Sequence, residues 1–190
     1  MRLSLYFAIF SLMAGLAAPA LAREPVRFPE RLYHPGIQAI VADVGPAYIS
    51  GQPNEAALRE LIGRAEVTTV INVRTRQEMD SRTQVPFDEA AVLTELGVAY
   101  FHIPLGGPDN PYTPEALTAF ARAMAGARGK VLLHCTVGAR ASSLWAAYLI
   151  WHERFDPAEA IRHASAINLP PEFDTDTPVN RLLGLSPAQP

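Results

Sequence analysis

The sequence has one cysteine, Cys135, among 190 residues. An intramolecular disulfide is therefore excluded, and this thiol is either a buried structural group or a reactive one. Positive charge is not in surplus: 16 Lys and Arg face 19 Asp and Glu, for a net charge of −3. With no basic stripe, nucleic acid and anionic membrane surfaces are not expected as partners. No cluster of His, Cys or carboxylates has metal-ligand spacing, so neither a metal nor a cofactor is expected. Internal repeats and low-complexity tracts are also missing.

Long apolar runs are scarce too, and the single one lies at the start. Met1-Arg2 offers a minimal positive region, followed by an almost uncharged stretch from Leu3 to Ala18. Pro19 breaks it, and Ala20-Leu21-Ala22 supplies the small-x-small pattern of a cleavage site. The run is short for a membrane span. Residues 1–22 are thus expected to be a signal peptide cleaved after Ala22, with no stable membrane insertion afterwards. The protein is read as exported, and as periplasmic if its source is a bacterium.

The rest divides into a lead-in (23–37), one domain (38–168) and a tail (169–190) with five prolines, expected to lie loosely along the surface. Two short apolar stretches around Asp43-Val44-Gly45-Pro46 predict a hairpin. Asn54 is placed to cap a helix reaching residue 65. A β-branched run at 67–73 and the segments 98–103 and 130–134 predict strands. Between and after them, helices are expected at 88–96, at 113–125 behind a Thr113-Pro114 start, at 141–153, and at 156–167 behind Asp156-Pro157. Leu144, Tyr148, Leu149 and Trp151 have the spacing of a core-facing stripe. This alternation predicts an α/β single domain, a small and mostly parallel sheet flanked by helices. Ligands of such sheets sit beyond the carboxyl ends of the strands.

One such end carries chemistry. In His134-Cys135-Thr136-Val137-Gly138-Ala139-Arg140-Ala141-Ser142, a buried strand runs into a short loop and the loop into a helix. Inward amides of the tight loop and the free N–H groups of the helix start build an anion trap. Thr136, Val137, Gly138 and Ala139 form its floor, Ser142 lies at its helical edge, and Arg140 closes it with a planar fork. Gly138 suits a position of positive φ. Cys135 lies in the same field, which favours the thiolate form of a thiol and makes it a nucleophile under a bound oxyanion. Arg74 ends a neighbouring strand at the same face, where it adds positive charge or pairs with Glu78 or Asp80. His134 is read as a strand-end group that orients the loop, and His102 as a satisfied core histidine.

The His134-Cys135 and Arg140 pattern resembles the signature loop of cysteine-dependent tyrosine and dual-specificity phosphatases. Tyr48-Ile49-Ser50-Gly51-Gln52-Pro53, Val70-Ile71-Asn72-Val73-Arg74 and Phe101-His102-Ile103-Pro104 are similar to a bacterial branch of that superfamily, the beta-lactamase hydrolase-like or tyrosine-phosphatase-like group. The resemblance spans Gln38 to Ile167. It implies a phosphatase fold, attack of Cys135 on a phosphate monoester through a cysteinyl-phosphate, and an aspartate general acid. Asp109, in Gly106-Gly107-Pro108-Asp109-Asn110, is the candidate acid; Asp80 and Asp88 are weaker ones.

Two departures keep other chemistries open. Four residues separate Cys135 from Arg140, where the usual phosphatase loop has five; four is also the spacing of rhodanese-type sulfurtransferases. Ala141 stands where a hydroxyl usually follows the arginine, leaving Ser142 or Ser143 to substitute. The leading expectation is a phosphatase-like hydrolase whose partner is a phosphorylated substrate or another small oxyanion. The alternatives are a sulfurtransferase carrying a Cys135 persulfide, and an oxyanion-binding module with little turnover.

Overall fold

The computed structural model describes residues 24–64, 67–171 and 176–185; the expected signal segment, 1–22, lies outside the described residues. Six strands form one sheet: β1 (Glu30–Leu32), β2 (Val41–Asp43), β3 (Ala47–Ser50), β4 (Val67–Asn72), β5 (Ala99–His102) and β6 (Lys130–His134). Their order is β1-β2-β3-β6-β4-β5. The first two pairings are antiparallel and the other three parallel.

Side-chain alternation along the central strands explains why helices cover both faces. On β6, Val131 and Leu133 enter one apolar cluster and Leu132 the other; on β4, Ile71 and Val70 divide the same way. The first cluster is completed by α4 (Pro114–Gly126), α5 (Ala139–Trp151), α6 (Pro157–Ile167) and α7 (Pro178–Leu182). The second is completed by α1 (Glu55–Arg64) and α3 (Glu89–Glu95). Helix α5, carrying Leu144, Trp145, Tyr148 and Leu149, is buried along most of its length, as a helix apolar all round must be.

Several expectations need correcting. The lead-in contributes β1, which pairs with β2 and extends the sheet. A short helix, α2 (Arg76–Asp80), lies in the connection after β4. The tail is not loose throughout: Thr177 caps α7, which buries Val179 and Leu182 beside α4 and α5. Its Pro178 takes the first helical position, where a missing N–H costs nothing. Trp151 is 46% exposed rather than core, because α5 ends there and the stripe it would continue has run out.

The parallel strands finish level with one another. Ser50, His134, Asn72 and His102 sit side by side in register across β3, β6, β4 and β5. The chemistry-bearing loop leaves from the middle of this row.

Candidate active site

The loop from Cys135 to Arg140 is fastened from below by the segment after β3. The Cys135 amide donates to Ser50 O at 3.3 Å, and the Gln52 amide to Thr136 O at 3.0 Å. Gly51 bridges to Val137 in antiparallel fashion. A Cβ on Gly51 would stand 1.7 Å from Gln38 O and 3.0 Å from Thr136 O, so only glycine lets the two backbones approach this closely. Asn168 Nδ2 ties the loop from the other side, donating to Val137 O at 2.7 Å.

Gly138 turns the loop into α5. Its φ is +89°, and a Cβ there would meet Ile40 Cγ2 at 2.8 Å. The Gly138 amide points at the sulfur, 3.1 Å from Cys135 Sγ. The first amides of α5 have no acceptor within the helix, as in any helix, and no side chain caps them. Cys135 is 1% exposed. Arg140, Arg74 and Tyr112 all lie within electrostatic reach of it.

Arg140 is held by a residue the sequence reading gave only to Arg74. Its Nη1 and Nη2 each donate at 2.7 Å to one oxygen of Glu78, forming a two-pronged ion pair. Nη1 also donates to Leu105 O at 2.8 Å, and Nη2 to Thr136 Oγ1 at 2.9 Å. The Thr136 hydroxyl donates in turn to Glu78 Oε1 at 2.8 Å. Glu78 belongs to α2, and its Oε2 accepts from the Thr75 amide at 2.8 Å, closing a capping box. Burial favours its neutral form, but hydrogen bonds from Arg140, the Thr75 amide and Thr136 outweigh that and hold the carboxyl well below the usual range. The Thr75-x-x-Glu78 spacing signals a helix start, while the fold alone brings this carboxylate to the loop.

Arg74 is buried behind this pair. Its Nη1 donates to Gln52 Oε1 at 3.0 Å and its Nη2 to Gln84 Oε1 at 2.6 Å. Nε has no hydrogen-bond partner and lies 3.6 Å from Glu78 Oε1. Burial lowers the pKa of Arg74, against the pull of Glu78. Below it lies a second acidic centre, Glu89, at the start of α3. Glu89 accepts from Gln52 Nε2 and Asn72 Nδ2, both at 2.9 Å, and pairs with His134 Nε2 at 3.1 Å. Burial opposes its ionisation, yet the charge and hydrogen bond of His134, with those from Gln52 and Asn72, pull its pKa down to about 2. Nothing in the sequence distinguishes Glu89 from an ordinary first-turn glutamate, and this network went unread.

The remaining expected residues fall as follows. Asp109 is exposed at the tip of a tight loop in which Gly106 N donates to Asn110 O at 2.7 Å. Together with Arg76, Glu78, Gly106, Asn110 and Arg140 it lines a cleft of about 670 Å³. Ser142 is fully buried, and its hydroxyl donates to Gly138 O at 2.8 Å; Ser143 donates to Ala139 O at 3.3 Å. Each serine therefore serves the backbone one turn back. Val137 is exposed, and Ala139 is the first residue of α5. His102 Nε2 donates to the Arg74 carbonyl oxygen at 2.7 Å. Among the described residues no cluster of His, Cys, Asp and Glu could hold a metal ion.

A loop of this build, on a sheet with this order, matches a known group of proteins. The family model of the beta-lactamase hydrolase-like protein, phosphatase-like domain, matches residues 48–149, from β3 into α5. The chain belongs to this family. Two curated beta-lactamase hydrolase-like proteins, from two strains of Xylella fastidiosa, are each 33% identical over 123 residues, covering 64% of this chain and 28% of theirs. The chain thus spans little more than a quarter of those relatives. Among solved structures, a putative phosphatase from Shewanella putrefaciens is similar at 25% identity and a TM-score of 0.52, covering 84% of this chain and 87% of that one. TpbA of P. aeruginosa aligns at 21% identity and a TM-score of 0.54, over 88% of this chain and 98% of its own. PTPMT1, solved with PI(5)P, reaches a TM-score of 0.61 at 19% identity, covering 73% of this chain and 88% of that one. These last two likenesses establish a shared phosphatase fold. The phosphatase-like domain of this chain keeps the loop, the Ser50-Gly51-Gln52-Pro53 support and the strand row together.

Proposed function

We propose that the protein is a cysteine-dependent phosphatase acting on phosphate monoesters. The observation that carries this reading is the Gly138 amide 3.1 Å from Cys135 Sγ, at the uncapped start of α5, with Arg140 in the same loop. This arrangement gathers the nucleophile, the oxyanion donors and a planar fork around one point. In the first step Cys135 attacks phosphorus; the S–P bond forms, the P–O bond to the leaving group breaks, and Asp109 gives that oxygen its proton. Water then attacks phosphorus and passes a proton to the ionised Asp109, the S–P bond breaks, and phosphate leaves with the thiolate restored. Arg140 and the loop amides from Thr136 to Ala139 neutralise the phosphoryl oxygens throughout. Asp109 is supported by its position on the wall of the cleft that Arg140 also lines.

A second reading is favoured by one specific feature, the four-residue gap between Cys135 and Arg140. In a sulfurtransferase Cys135 would attack the outer sulfur of thiosulfate, sulfite would leave, and cyanide would take the sulfur from the persulfide as thiocyanate. No general acid is needed, so Asp109 would be idle. Purified protein assayed with an aryl phosphate, and separately with thiosulfate plus cyanide, separates the readings, with Cys135→Ser as control. Phosphate release that depends on Cys135 is the expected result; thiocyanate formation without it would replace the phosphatase reading.

A further inference from the structure

Arg140 has five N–H donors, as every guanidinium does. Four are engaged: Nη1 on Leu105 O and Glu78 Oε2, Nη2 on Glu78 Oε1 and Thr136 Oγ1. Only the Nε hydrogen remains for a ligand. The Thr136 hydroxyl, the one side-chain hydroxyl on the loop floor, spends its proton on the same carboxylate. Glu78 therefore holds two of the Arg140 donors and the Thr136 proton, with two oxygens and a negative charge. Cys135 beside it is 1% exposed.

A second, unpaired donor lies beside the same carboxylate. Arg74 is itself 1% exposed, and its Nε carries an N–H with no partner, 3.6 Å from Glu78 Oε1. That distance is too long for a hydrogen bond, and a buried donor left unpaired is costly. A small swing of Glu78 would satisfy it. The Thr75 amide holds Oε2, so the swing need not undo the capping box of α2.

We infer that Glu78 is an internal stand-in for the anionic head of the substrate, resting on Arg140 in the free protein and passing to Arg74 Nε when an oxyanion enters. The inference builds on the oxyanion-cradle reading above and narrows the substrate class. The exchange replaces one anion by another. It admits groups that present two oxygens and negative charge to the fork, and leaves uncharged esters no means of displacing Glu78.

Calorimetric titration with inorganic phosphate tests this in a Cys135→Ser background, where no turnover occurs. Glu78→Gln keeps the capping-box geometry, since glutamine serves at that position as well. It is expected to bind phosphate about tenfold more tightly, the effect of removing roughly one charged hydrogen bond's worth of competition. Glu78→Asp keeps the charge but is one methylene short of the fork, and is expected to tighten binding to a smaller degree. Equal or weaker binding by Glu78→Gln would overturn the inference, making Glu78 a support for Arg140. Tightening in Glu78→Gln with none in Glu78→Asp would also overturn it, as a plain charge effect. Phosphate binding that is absent from the parent and from both variants would instead remove the cradle reading itself.

Discussion

Glu89 Oε1 lies 3.1 Å from Nε2 of His134, so a buried carboxylate is bonded to the residue just before the nucleophile. Through Gln52 the same carboxylate is linked to Arg74, and through Asn72 to the Arg74 backbone amide. The loop thus rests on a polar network, inside a sheet whose interior is otherwise mostly apolar.

Breaking that network has a predictable cost. Glu89→Gln is expected to lower the unfolding free energy by about 3 kcal/mol at neutral pH, since it leaves a buried partner uncompensated. The pH dependence carries a definite sign. A carboxyl whose folded pKa is depressed to about 2 stabilises the fold above the unfolded value, roughly 4.3, and loses that contribution as pH falls toward 2. Urea unfolding from pH 6 to pH 2 should therefore show wild-type and Glu89→Gln stabilities converging in acid. Parallel curves would mean that Glu89 carries no such linkage.

The two loop glycines should respond unequally to alanine. Gly138→Ala forces φ +89° on a residue with a side chain and brings it 2.8 Å from Ile40 Cγ2. A loss of about 1–3 kcal/mol is expected, partly recovered by Ile40→Ala, which removes the contact but not the strain. Gly51→Ala meets a backbone oxygen at 1.7 Å and has no side chain to yield, so its loss should be the larger. Thermal unfolding of the three variants checks the order.

The tail provides a test of the fold. Leu182 is fully buried in the main cluster, so Leu182→Ala is expected to cost about 2–5 kcal/mol. A variant as stable as the parent in denaturant unfolding would return the tail to the surface.

How much of this was legible depends on whether the signal is local. The helix starts at Thr113-Pro114 and Asp156-Pro157 and the strand at 130–134 stand where their own residues dictate, because a cap or a short apolar run needs no partner to be recognised. The loop was readable for the same reason: strand, cysteine, glycine and arginine follow one another in order. Helix α7 was not, because its apolar pair Val179 and Leu182 is too short to show a period, and prolines surround it. Glu78 and Glu89 lie 62 and 45 residues from the groups they bind, and only the fold brings them in. Ser142 shows the converse: its position in the sequence suggested a ligand contact, while helix geometry directs its hydroxyl to the Gly138 carbonyl.

Asp109 separates the two chemistries. If it protonates the leaving oxygen, Asp109→Asn should lower aryl phosphate turnover by about a hundredfold or more, with little change in the substrate concentration needed for half-maximal rate. Poor leaving groups should suffer more than good ones. Thiocyanate production from thiosulfate and cyanide should be indifferent to the change. Steady-state rates on both substrates decide it.

The central claim concerns a bond to sulfur, and the most direct measurement looks for that bond. Protein mixed with an aryl phosphate, quenched in acid within its first turnovers and digested, can be searched by mass spectrometry for the Cys135 peptide. The account predicts that peptide bearing one phosphoryl group, enriched in Asp109→Asn if that residue also assists hydrolysis, and absent from Cys135→Ser. Phosphate release with no modified Cys135 peptide, or release undiminished in Cys135→Ser, would contradict it.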